Sequence, residues 1–111
     1  MSTHNLTMSD RRKIARDFAL AVKERNKGIK KVVLFGSVAR GEDEKGSDID
    51  VLVVTGGDRR RVRDRVMDDV VRFLLDKSVY VSAKVISDRE YDRLRNTHFI
   101  SEIEKRGVLI G

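Results

Sequence analysis

Two short apolar runs restrict the fold of this chain more than any other feature. Lys31-Val32-Val33-Leu34-Phe35 ends at Gly36, and Ile49 with Val51-Leu52-Val53-Val54 ends just before Gly56-Gly57. Both are rich in β-branched residues and too short for ordinary helices, and their apolar side chains fall on both faces of an extended chain. That pattern reads as a pair of buried strands. A third strand is expected over Val79–Ile86.

The intervening segments carry helical periodicity instead. Ser9 is a candidate N-cap for a first helix in which Ile14, Phe18, Ala21 and Val22 recur at helical spacing before Gly28. Val62, Val66, Val70 and Leu74, widened by Met67, Val71 and Leu75, predict one amphipathic helix over residues 58–77. Arg65 with Asp69, or Asp68 with Arg72, can pair on its outer face. Ser87-Asp88-Arg89-Glu90 has the form of a capping box opening a further helix, with Tyr91 and Leu94 starting its buried face. Asn96-Thr97 breaks that helix; Phe99, Ile100 and Ile103 resume the pattern until Gly107. The tail Val108-Leu109-Ile110 can cover a sheet edge in its own chain or in a second copy. The order helix, strand, strand, helix, strand, helix predicts an α/β (α+β) fold, a small mixed sheet with helices packed mainly on one face.

At 111 residues, the chain is expected to form a single domain, residues 1–111, without room for a second substrate-binding domain. With no cysteine it has neither disulfides nor a thiolate metal site. No apolar run is long enough to span a bilayer, and the start lacks the apolar core of a secretory signal, so a cytoplasmic location is expected. The formal net charge of +6 suits an anionic partner. Its arginines are interspersed with acids along helical stretches, however, which is the pattern of solvated helix faces. Nucleic-acid binding therefore ranks last among the functional readings, and its mark would be steep salt dependence.

Chemistry concentrates in LFGSVARGEDEKGSDIDVLVV, residues 34–54. Gly36-Ser37 directly follows a buried strand, where glycine admits close approach of backbone N–H groups to an anion and the serine hydroxyl adds a donor. Val38-Ala39-Arg40 can form one helical turn beside it, with Arg40 supplying positive charge. Asp48 and Asp50, two apart at the start of the next strand, project from one face. Two carboxylates that close repel each other and call for a cation, for which Mg²⁺ with substrate phosphate oxygens is the natural candidate. Gly41 to Ser47 form a polar loop that lets the two groups face one another. Taken singly, a Gly-Ser after a strand is ordinary turn chemistry and an Asp-x-Asp is commonly a solvated strand start. A Walker-type P-loop is excluded, because no Gly-Lys-Ser/Thr follows at the required spacing.

Gly36-Ser37, ten residues, then Asp48-Ile49-Asp50 resembles the GS-x10-D-x-D signature of the DNA polymerase beta-like nucleotidyltransferase superfamily. FGSVARGE and SDIDVLV resemble its minimal stand-alone members. The resemblance implies the nucleotidyltransferase fold, a triphosphate, most readily ATP, held at Gly36, Ser37 and Arg40, and Mg²⁺ bound by Asp48 and Asp50. It implies transfer of a nucleoside monophosphate with release of pyrophosphate. Similar minimal members act as antitoxins beside an all-helical HEPN ribonuclease, some by attaching AMP to it, so a small helical HEPN-type partner is expected. A domain of this size has little surface with which to select an acceptor, which also points to a second chain.

One departure opens an alternative. The family usually carries a third carboxylate on the neighbouring strand, but Val79–Ile86 contains no acid, and Lys84 stands about where it is expected. Lys84 either neutralises Asp48 and Asp50 directly or lies on a solvated face. Asp88 shares its parity but is better read as a first-turn helix residue, and Glu42, Asp43 and Glu44 are expected in solvent on the loop. His4 and His98 have no partner at metal-ligand spacing. The alternative to an active transferase is therefore a catalytically weak nucleotide-binding module that works by docking on its partner.

Overall fold

A computed structural model describes residues 8–44 and 46–111, with the side chains of Met8 and Ser9 outside that description. Among the described residues the elements are α1 (Met8–Arg25), β1 (Ile29–Phe35), α2 (Gly36–Arg40), β2 (Ile49–Thr55), α3 (Arg59–Lys77), β3 (Val81–Ser87), α4 (Asp88–Leu94), α5 (His98–Arg106) and β4 (Val108–Leu109). Ser9 stands within α1 rather than at its boundary, and the capping expected of its side chain lies outside the described residues, as does His4. Among the described residues no helix is long and apolar enough to cross a membrane.

The strands form one sheet in the order β3-β2-β1-β4. β1 runs antiparallel to β2 and to β4, while β2 and β3 are parallel, as the crossover through α3 requires. This is the mixed sheet that the element order predicts. The tail covers the β1 edge of its own chain: Val108 and Leu109 pair with Leu34 and Val33, and the Ile110 N–H donates to the Val32 carbonyl at 2.9 Å.

The larger core lies on the face covered by α1 and α3. Val32, Leu34, Val51 and Val53 meet Phe18, Val22, Val66 and Phe73 there, with the Phe18 and Phe73 rings edge to face at 5.2 Å. The opposite face is not bare. Val33, Leu52 and Val54 pack against Tyr91 of α4 and Ile100 and Ile103 of α5. Helices thus lie mainly on one face, and the short pair on the other covers the apolar side chains that the two-sided strands present there. Ser87 caps α4 in the expected box, accepting from the Glu90 N–H at 3.0 Å while Glu90 accepts from the Ser87 N–H at 2.9 Å.

The buried stripe of α3 departs from the sequence reading. Val62, Val66 and Val70 are buried as expected, but the stripe continues through Asp69 and Phe73, leaving Leu74, Val71, Met67 and Leu75 exposed. A strict spacing of four overshoots the helical repeat, so Leu74 has turned about 120° from Val62 whereas Phe73 lies within about 20° of it. Neither expected ion pair forms as proposed. The fully buried Asp69 carboxylate accepts from Arg25 of α1 at 3.0 Å and lies 3.3 Å from Arg72, joining the two helices, while Arg65 donates to the Arg25 carbonyl. Leu94 is likewise partly exposed, and Tyr91 alone carries the buried face of α4.

This orientation of α3 has a direct test by chemical denaturation. Phe73→Ala is expected to cost about 3–5 kcal/mol, as for a buried aromatic, and Leu75→Ala no more than about 0.5 kcal/mol. Equal losses would mean that the helix is rotated from the position described.

Candidate functional site

The register between β1 and β2 builds the site. Phe35, the last residue of β1, lies opposite Asp50, near the start of β2. Gly36 then turns the chain into α2 with φ of 78°, a left-handed conformation that side chains disfavour. Space demands glycine as well, because a Cβ on Gly36 would collide with the Asp50 carboxylate. The glycine that opens the Gly-Ser turn and the second aspartate of the Asp-x-Asp pair are thus in contact, though fourteen positions apart.

Val38 and Ala39 bury α2 against the larger core, and Gly41 ends it in the left-handed region at φ 73°. Ser37 is half-buried in the first turn of α2, and Arg40 is exposed in the last, its Nε 2.8 Å from Glu42. Asp48 is exposed just before β2, and Asp50 is half-buried. Burial pushes the Asp50 carboxyl above the ordinary aspartate range. The neighbouring charge of Asp48 raises it further, while Lys84 and Arg40 pull it back. All five sequence-identified residues, Gly36, Ser37, Arg40, Asp48 and Asp50, therefore fall in one neighbourhood, and Lys84 joins them.

The sheet also decides between the acids considered as substitutes for a third carboxylate. Asp50 pairs in register with Ser82, Leu52 with Lys84 and Thr55 with Ser87. Lys84 thus shares the face of Asp50, whereas Asp88 follows the far end of β3, about 17 Å or more along the strands, where it lies 3.7 Å from Lys30. Among the described residues no cluster of three or more His, Cys, Asp or Glu is placed to hold a metal ion. Glu42 is exposed and engaged with Arg40, and Glu44 is exposed. Asp43 is not in solvent as expected. Its side chain is only 2% exposed, and Arg11 of α1 reaches it at 3.4 Å.

That ion pair belongs to a clamp that sequence reading missed. Arg11 Nε donates to the Ser47 carbonyl at 3.2 Å, and Arg12 donates to the carbonyls of Ala39 and Val38 at 2.8 and 3.4 Å. The first turns of α1 therefore hold the end of α2 and both ends of the connecting loop. Nothing in the run Asp10-Arg11-Arg12-Lys13 distinguishes these arginines from an ordinary solvated helix face.

Comparison with known proteins shows the family and the fold. The family model for the nucleotidyltransferase domain matches residues 15–110, and the chain belongs to that family. A protein of Methanocaldococcus jannaschii named "putative protein adenylyltransferase" is 34% identical over 99 residues, spanning 88% of this chain and 95% of the relative. The crystal structure of a "putative nucleotidyltransferase" from Sulfolobus solfataricus superposes with a TM-score of 0.60 at 31% identity, covering 92% of this chain and 80% of that one. A toxin-antitoxin crystal structure with AMP-PNP has the same fold, with a TM-score of 0.56 at 15% identity over 86% of this chain and 72% of its own.

The ionised Asp50 carboxylate costs stability in the protein free of divalent cations. Because its folded pKa is raised, the wild type loses stability as pH rises from the ordinary aspartate range through the folded value, and the cost persists above it. Asp50→Asn in chelator is therefore expected to melt higher than wild type at pH 7. That gain should vanish as pH falls below the aspartate range. Thermal melts from pH 3 to 8 check both; an Asn variant less stable at neutral pH would contradict the assignment.

Proposed function

We propose that this chain binds a nucleoside triphosphate, ATP in the first instance, together with Mg²⁺, and transfers a nucleoside monophosphate to a hydroxyl on a partner protein. The observation that carries this reading is the contact between Gly36 and the Asp50 carboxylate, with Asp48, Arg40 and Lys84 around it. Gly36 and Ser37 offer an anion backbone approach and a hydroxyl donor, and Arg40 adds charge. Asp48 and Asp50 would hold the cation. Burial first, and then the charge of Asp48, raises the Asp50 carboxyl, and a bound cation relieves both costs, so these residues fit Mg²⁺. When bound, Mg²⁺ supplies charge neutralisation at the phosphates.

In the transfer itself, the acceptor oxygen forms a bond to the α-phosphorus, the bond from that phosphorus to the bridging oxygen breaks, and pyrophosphate departs. The hydroxyl proton passes to solvent or to a nearby base. Gly36, Ser37 and Arg40 hold the phosphates in place for this displacement. A protein acceptor is supported by the adenylyltransferase name of the Methanocaldococcus relative, and a partner chain by the toxin-antitoxin structure of the same fold. We assign that partner to the small helical HEPN class, with this chain as its antitoxin acting in the cytoplasm.

The site has a simple test in thermal melts. ATP with Mg²⁺, at about a hundred times its dissociation constant, is expected to stabilise the wild type by ~2.7 kcal/mol. The Asp48→Asn, Asp50→Asn double variant should show no such shift. An unchanged shift would remove the carboxylate pair from the reading.

A second reading, nucleotide binding without efficient transfer, is favoured by one observation: Lys84 rather than an acid shares the face of Asp50. On that reading the wild type binds nucleotide but labels its partner slowly, since the activation of the attacking hydroxyl is missing. Lys84→Asp is then expected to strengthen binding of a second Mg²⁺ or Mn²⁺ and raise the transfer of label from ATP to the partner. Fast wild-type labelling that Lys84→Asp abolishes would instead put Lys84 at the phosphates and exclude the binding-module reading.

A further inference from the structure

A cavity of about 330 Å³ opens beside the site, between the end of β1 and α5, with Phe35, Gly36, Arg40, Phe99, Glu102 and Arg106 among its lining residues. We propose that it receives the nucleobase of the bound nucleotide and favours a base that carries an exocyclic amino group. The proposal rests on the nucleotide reading above and names the part of the ligand which that reading leaves without a place.

Continuity is the first argument. Gly36 lines the cavity and also touches the Asp50 carboxylate. Arg40 likewise lines it and influences Asp50. A ligand whose phosphates sit at Gly36 and Arg40 therefore has the rest of its body at the cavity mouth. The volume lies at the lower end of the range for small-molecule sites, suited to a nucleoside rather than to a protein segment. Two other cavities do not meet this condition. One lies under Lys31 and Tyr91 and the other beside Arg59 and Arg93, and neither is lined by a residue of the Gly-Ser turn or the aspartate pair.

The walls have the chemistry of a base site. The rings of Phe35 and Phe99 stand at 89° with centroids 5.5 Å apart. Such a perpendicular pair can offer a planar guest the face of one ring and the edge of the other. Phe99 remains 41% exposed, although it belongs to a helix whose Ile100 and Ile103 are fully engaged in the core, so a stacked base would cover apolar surface that the fold leaves wet. Glu102 and Arg106 form an ion pair at 3.4 Å, both partly in solvent. The carboxylate accepts from an amino group of adenine, guanine or cytosine, whereas uracil has no amino group and flanks its single N3–H donor with two carbonyl oxygens, a poorer match for a carboxylate.

The test is calorimetric titration of the full chain in Mg²⁺ with ATP, UTP and tripolyphosphate, the last being a ligand with phosphates and no base. Wild type is expected to bind ATP roughly tenfold more tightly than tripolyphosphate, the gain typical of stacking one base on an aromatic side chain. Phe99→Ala should bring ATP down to the tripolyphosphate level and leave tripolyphosphate itself unchanged, and Phe99→Tyr should keep the difference. Glu102→Gln should narrow the gap between ATP and UTP. The base pocket is overturned if wild type binds ATP no better than tripolyphosphate, or if Phe99→Ala weakens both ligands equally or neither. Equal wild-type affinity for ATP and UTP overturns the preference for an amino group. Failure of every ligand to bind wild type would instead defeat the nucleotide reading itself, and this assignment with it.

Discussion

The antiparallel pairing of β1 with β2 is the constraint on which the rest depends. It sets Phe35 opposite Asp50 and so brings Gly36 against a carboxylate that is distant in sequence. Alternation in the strands maintains that register. Val32, Leu34, Val51 and Val53 fill the larger core while Val33, Leu52 and Val54 fill the smaller one. A slip of one residue would exchange the faces, turning Asp50 into the larger core and an apolar neighbour toward the site. The hydrophobic energy of two cores thus enforces a polar geometry at one end of the sheet.

Around that pairing the chain adds a tether and tolerates a cost. Arg11 and Arg12 of α1 bind backbone carbonyls on α2 and the connecting loop, satisfying acceptors at the end of a very short helix. They couple the placement of Asp48 and Asp50 to the packing of α1, whose Phe18 and Val22 lie in the larger core. Asp50 itself is an unfavourable element, half-buried and beside a like charge. A half-buried carboxylate beside a like charge marks a candidate functional site.

Much of this was legible in the residues. β-branched runs ending at glycine located the central strands, and Ser87 with Glu90 marked the start of α4, because capping and strand formation depend on neighbours along the chain. Gly36, Ser37, Arg40, Asp48 and Asp50 were identifiable as a group because their chemistry and spacing occur together in one stretch. The inner face of α3 was harder. A spacing of four describes one or two turns, but over the length of that helix the drift replaces Leu74 by Phe73 and draws Asp69 inward, where Arg25 of another helix pairs with its Oδ1.

What the sequence determined by itself was therefore local: which segments extend or coil, where they stop, and which residue types can meet an anion or a cation. Only the tertiary structure decided the relations between segments. It chose the chain's own edge for the tail and set Asp43 under Arg11 instead of in solvent. It also sent Lys84 to the face of Asp50 and Asp88 to the far end of the sheet. The physical reason is that strand register and helix rotation are settled by the simultaneous burial of many side chains from distant segments, a condition that no single stretch of sequence expresses.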